Sequence, residues 1–185
     1  FAVMGMHFKI GLYEHQSAGA LQGLLNLIQE CPNIASNPES IDIIKITAYE
    51  PAFGIIGDPA KRNPTTRQSA DHSMVYIVST MLRKAKEVSS VEGLGFFKNS
   101  NDDVWKKLML TPYDYDADAI NNKGTRKIME AISFEHGGQE YDEKYPDGIP
   151  TGVQITLKSG EVFDSGLIMY PSGHARNKSC NLDDL

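Results

Sequence analysis

Val153-Gln-Ile-Thr-Leu157 and Glu161-Val-Phe163 alternate apolar and polar residues on either side of Lys158-Ser-Gly160. Alternation sends successive side chains to opposite faces, and a glycine at the turn accepts backbone angles that other residues resist. Two such runs so close together form a β-hairpin. A hairpin commits the chain to an antiparallel sheet with an apolar face to cover, and the upstream sequence supplies the cover. Ala18, Leu21, Leu24, Leu25 and Ile28 recur at helical spacing between Ser17 and Cys31, where Pro32 ends the run. A second helix is expected from about Ala70 to Glu87, capped by Ser69, with Val75, Val78, Met81 and Leu82 as its apolar stripe. Shorter helices are expected over 102–109 and 125–132. The β-branched run Ile41–Tyr49 predicts a strand, and Ser133-Phe134 a shorter one. Residues 91–97 fit no single element. Pro51–Thr66 and Tyr141–Pro150 read as loops, Asp114–Asp118 as a solvated acidic surface, and 181–185 as the start of a helix. The expected architecture is α+β, a mostly antiparallel sheet with helices packed on one face.

At 185 residues, with 41% apolar and 23% charged residues, the chain suits one domain with its own core. The net charge of −6 argues against nucleic acid as a partner, because phosphate binding needs a concentrated basic face. No apolar run approaches the length of a membrane span. Two cysteines, Cys31 and Cys180, make no disulfide framework and cannot complete a four-thiolate cluster. The five histidines are scattered, so no metal site is expected. A reducing compartment follows, with the cytoplasm as the expected location, or the mitochondrial matrix in a eukaryote. The apolar opening, which starts at Phe1 without a basic leader, reads as the edge of a fragment of a longer protein.

The densest polar constellation is Asp58–Tyr76, a basic loop running into a helix. Helix N-termini attract anions, and Arg67 just ahead of the cap suits a carboxylate. His72 and Tyr76 stand four residues apart, which on a helix places imidazole and phenol on one face for proton transfer. The same spacing also fits a capping-region histidine and a tyrosine packed in the core with its hydroxyl satisfied locally. Lys9, between Phe8 and Ile10, fits either a carboxylate anchor or a solvated lysine, and Tyr170–His174 either a functional turn or an exposed one.

Phe8-Lys9-Ile10 with Glu14-His15 before a helix, the block Arg67-Gln-Ser-Ala-Asp71-His72-Ser73-Met-Val-Tyr76, the hairpin 152–163 and Tyr170-Pro-Ser-Gly-His174 occur in that order. The series resembles the C-terminal domain of the 2-methylcitrate dehydratase family (the MmgE/PrpD family), over nearly the whole chain. The resemblance implies a second α+β domain behind a large helical one, with the active site between them and no iron–sulfur cluster or other cofactor. It implies catalytic roles for Tyr76, Lys9 and His72. Arg67 and His15 would bind substrate, although Leu12-Tyr13 replaces a proline common in relatives and loosens the register to His15.

The reaction so implied is loss of water from a 2-methylcitrate-like hydroxy tricarboxylate in propionate metabolism. A cis-aconitate-type decarboxylase, an epimerase and a non-catalytic carboxylate-binding module are the alternatives. The expected partners are the polycarboxylate substrate and an N-terminal helical domain carrying the principal base. The full-length protein is expected to be a homodimer.

Overall fold

A computed structural model describes residues 5–181 and 183. Four strands form one sheet in the order β2-β1-β3-β4. They are β1 (Ile41–Ala48), β2 (Ile132–His136), β3 (Thr151–Leu157) and β4 (Val162–Ile168). The β3–β4 hairpin is antiparallel with Ile155 opposite Phe163, and β3 runs antiparallel to β1 with Ile44 opposite Ile155. Only β1 and β2 are parallel, which the long connection between them permits. The mostly antiparallel α+β fold is therefore as expected.

Ile44, Ile46 and Ala48 of β1 and Val153 and Ile155 of β3 are buried beneath the helices. The opposite face presents Lys45, which pairs with Glu135 at 3.2 Å, and Gln154, bonded to Asp164 at 3.1 Å. An antiparallel sheet tolerates such one-sided solvation. Helix α1 (Ser17–Glu30) lies on β3 and β4. Its Leu21, Leu24, Leu25, Leu27 and Ile28 are at most 1% exposed. Burial of each such side chain contributes about 1.5–3 kcal/mol. After α2 (Asn33–Ser36) and β1, the segment expected to be a loop holds short helical turns at 52–56 and 59–61.

The single helix expected over 70–87 breaks in two. A short α3 (Arg67–Ala70) precedes α4 (Met74–Glu92), with Asp71, His72 and Ser73 between them. Ser69 is not the cap of the long helix. It shares a capping box with Thr66 at the start of α3, whereas Ser73 caps α4. Thr66 and Ser73 each cap a helix, with Ser69 at the third position of the first, and the pattern alone could not rank the three hydroxyls. Helix α4 packs on α1, α2 and α7 (Lys123–Glu130), and α5 (Asn101–Leu108) follows a tight turn at 94–98.

The 114–118 stretch is not a wholly solvated surface. Asp114 is 7% exposed and bonds Arg83 at 3.0 Å, Lys84 at 2.8 Å and the Thr111 N–H at 2.8 Å. Burial alone would raise its pKa, but Lys84 and the Thr111 bonds outweigh that and hold the carboxyl below its ordinary value. Helices α6 (Ala117–Ile120) and α8 (Gln139–Asp142) complete the helices described. The helix start expected over 181–185 falls largely outside the described residues. No helix among them is long and apolar enough to cross a membrane.

Candidate functional site

The segment from His7 to Glu14 has little regular structure, yet contacts from distant parts of the chain fix it. The Phe8 N–H donates to the Gly173 carbonyl at 2.8 Å, and Leu12 N–H to Leu110 at 3.3 Å. Trp105 Nε1 donates to the Ile10 carbonyl at 3.4 Å, and the Tyr115 hydroxyl donates to the Leu12 carbonyl. Tyr13, 2% exposed, packs edge-on against Trp105 with its hydroxyl accepting from the Ile10 N–H. Gly173 has φ +91, and a Cβ there would lie 2.0 Å from the Phe8 carbonyl oxygen. The turn and the close approach both require glycine.

This segment forms one wall of a cleft, and the α3–α4 junction forms the other. Lys9 and Glu14 face Arg67, Asp71 and His72 across it, with Tyr115 among the lining residues. Neither the Lys9 nor the Arg67 side chain forms an ion pair or hydrogen bond among the described residues. The acids are already engaged. Glu14, 8% exposed, accepts from the Ser17 hydroxyl and from the Gln16 N–H at 2.9 Å. Burial pushes its carboxyl above the ordinary value. Asp71 bonds His72 Nδ1, which also lies 3.1 Å from the Gln68 carbonyl. Both partners are acceptors, so Nδ1 carries the proton and a neutral His72 keeps its Nε2 lone pair free.

Three residues singled out from the sequence, Lys9, Arg67 and His72, therefore meet in one place. The route to that grouping differs from the expected one. His72 sits between two helices rather than on the face of one, so it shares no helix face with Tyr76. Arg67 opens α3 instead of preceding the cap of α4. The first turn of α4 is closed internally, because Ser73 donates to the Lys61 carbonyl at 2.6 Å and accepts from the Tyr76 N–H. Tyr76 is fully buried, and its hydroxyl donates to the Asp114 carbonyl. Its ring lies 5.9 Å from that of Tyr115, the tyrosine that does line the cleft. The alternative of a packed tyrosine with a locally satisfied hydroxyl describes this geometry.

His15 does not line the cleft. Its ring lies 4.6 Å from that of His7, which lies 5.7 Å from that of His174. Three of the five scattered histidines thus form a cluster that spacing did not show. Burial, then Lys9, lowers the His15 pKa, so the cluster and the cleft adjoin through Lys9. Among the described residues, no group of three or more His, Cys, Asp or Glu is placed to hold a metal ion. The sequence reading also missed Glu14, Asp71 and Tyr115 as lining residues. Each is adjacent to a residue it had noticed, and a buried carboxyl such as Glu14 has no mark in a single sequence.

The fold is mixed α/β, and its cleft presents two cations that are unpaired among the described residues, beside a buried carboxyl and a histidine. No family model matches the chain. It is 26% identical over 176 residues to a protein of Yarrowia lipolytica named 2-methylcitrate dehydratase, mitochondrial. The match takes in 92% of this chain but 29% of that relative, so the chain spans less than a third of the length of the protein it resembles.

Proposed function

We propose that the chain is the C-terminal α+β domain of a hydro-lyase of the 2-methylcitrate dehydratase type, and that its cleft is one wall of the active site. The observation that carries this reading is the convergence of Lys9 and Arg67, both unpaired, on a cleft holding Glu14 and His72. A tricarboxylate needs cations that are not already neutralised by the protein. The name of the Yarrowia relative supports the same substrate class.

Loss of water breaks a C–H bond next to a carboxylate and a C–O bond on the neighbouring carbon. The C–H electrons form the alkene, and the oxygen leaves as water once protonated. Lys9 and Arg67 hold carboxylates and stabilise charge that develops on the one adjoining the broken C–H bond. His72 Nε2 is a proton acceptor, kept in one tautomer by Asp71 and Gln68. Glu14, whose burial favours the protonated form, suits proton delivery to the leaving hydroxyl. The other groups come from the rest of the longer protein, including a helical domain, while His15 and Tyr76 stand behind the cleft without lining it.

Citrate and 2-methylcitrate titrated into the 185-residue chain, followed by amide NMR, should shift the signals of residues 9–14 and 67–72. Lys9→Ala or Arg67→Ala should weaken binding by about tenfold or more, as for loss of a charged hydrogen-bond donor. The longer parent protein should convert 2-methylcitrate to the dehydrated tricarboxylate. Binding that is indifferent to both substitutions would remove the cleft from this role. Conversion of cis-aconitate to a decarboxylated product instead would move the reaction to the decarboxylase alternative.

A further inference from the structure

A second cavity lies away from the cleft, where the turn at 38–40 and the start of β1 meet α4, α7 and the tip of the β3–β4 hairpin. Its enclosed space is about 100 Å3, room for a hydrocarbon segment rather than for a whole drug-sized ligand. Pro38, Ile41, Ile128 and Ala131 give it an apolar floor. Ile41 belongs to the hydrophobic core, and Ile128 and Ala131 pack against it.

The rim is cationic. Arg83, Lys86, Lys127 and Lys158 line it against a single carboxylate, Glu39. Lys86 pairs with Glu39, and Lys158 Nζ donates to the Glu39 carbonyl at 2.7 Å. Arg83 is tied to Glu87 and to Asp114, which it shares with Lys84. Its Nε is nonetheless a buried donor without a partner among the described residues. Lys127 and Lys158 form no ion pair among the described residues, although Lys127 is near enough to help hold the Glu39 carboxyl low. After these pairings at least one positive charge is left in excess at an apolar mouth.

We propose that this cavity binds a small monoanion with a hydrocarbon body, its chain on Ile41 and Ile128 and its carboxylate among Lys127, Lys158 and Arg83. The apolar floor excludes a fully hydrated polyanion, because covering it with charged groups returns nothing for their lost water. The excess positive charge suits a carboxylate. This site is separate from the cleft and does not depend on the reading given for it.

Octanoate is the probe, titrated into the 185-residue chain with isoleucine methyl NMR as the readout, beside octanol and octylammonium of the same length. Saturable shifts of the Ile41 and Ile128 methyls by octanoate are expected, with a Kd of about 0.1–1 mM for a ligand of this size. Octylammonium should bind at least about tenfold more weakly. Lys127→Glu, an exposed helix substitution, should weaken octanoate at least about fivefold while leaving octanol unchanged. Absence of saturable shifts at those two methyls overturns the proposal. So does equal binding of the three ligands, or an octanoate affinity unaffected by Lys127→Glu.

Discussion

At Tyr76 the ring is enclosed by the core and the hydroxyl has one acceptor, the Asp114 carbonyl. Burial raises the phenol pKa, so the hydroxyl stays protonated and acts as a donor. Tyr76→Phe keeps the ring and orphans that carbonyl. It should cost about 1 kcal/mol in urea unfolding, the worth of one buried hydrogen bond. Under the proposed function, kcat of the longer protein should stay near normal, since Tyr115 and not Tyr76 lines the cleft. A loss of kcat of about 100-fold at unchanged stability would return Tyr76 to the proton-transfer chemistry. From sequence, the His-Ser-x-x-Tyr spacing looked like one helix face. What it could not show is that α3 ends at Ala70 and that Ser73 turns extended before α4 begins at Met74.

At the element scale, α1 can approach β3 as it does because residue 19 has no side chain. A Cβ on Gly19 would fall 2.4 Å from Thr151 Oγ1 and 3.1 Å from the Ile149 carbonyl. Thr151 is fully buried and donates to that same carbonyl, so it has no free direction to yield. Helix propensity favours alanine over glycine by about 1 kcal/mol, and overpacking opposes it by about 1–3 kcal/mol. Gly19→Ala should therefore destabilise the chain, by up to about 2 kcal/mol in urea unfolding. A stabilised variant would mean that α1 and β3 are less closely seated. Helix α1, β1 and the hairpin were all legible, because period and turn chemistry are local. The boundary between α3 and α4 was not, because two competing caps carry the same local signal.

For the whole molecule, the contact of His7, His15 and His174 ties the two ends of the described chain together. Burial, then His15, lowers the His7 pKa to about 4; Ser172 opposes this and His174 adds to it. Lys9 presses on His15, and Arg176 on His174, where Asp147 partly compensates. A base whose folded pKa lies below its unfolded value stabilises fully above the unfolded value. That stability is lost as pH falls through the folded one, because the unfolded chain takes the proton first. The urea midpoint should thus fall between about pH 6.5 and about pH 4. His7→Gln, with no imidazole to protonate, should fall less over the same window. Parallel pH profiles for the two chains would show that the cluster does not couple to stability.

The sequence by itself determined the elements and the chemical types available: a hairpin, two long amphipathic helices, a basic loop and a lysine beside a phenylalanine. Those follow from side-chain periodicity and turn preferences, which act over a few residues. Tertiary structure alone decided which of those residues meet. It placed Lys9 opposite Arg67 and His72 and withdrew Tyr76 into the core. It also buried Asp114 between two cations and gathered three histidines from positions 7, 15 and 174. Such meetings depend on how the apolar faces of α1, α4 and the sheet pack together, and that packing is a property of the whole chain rather than of any window within it.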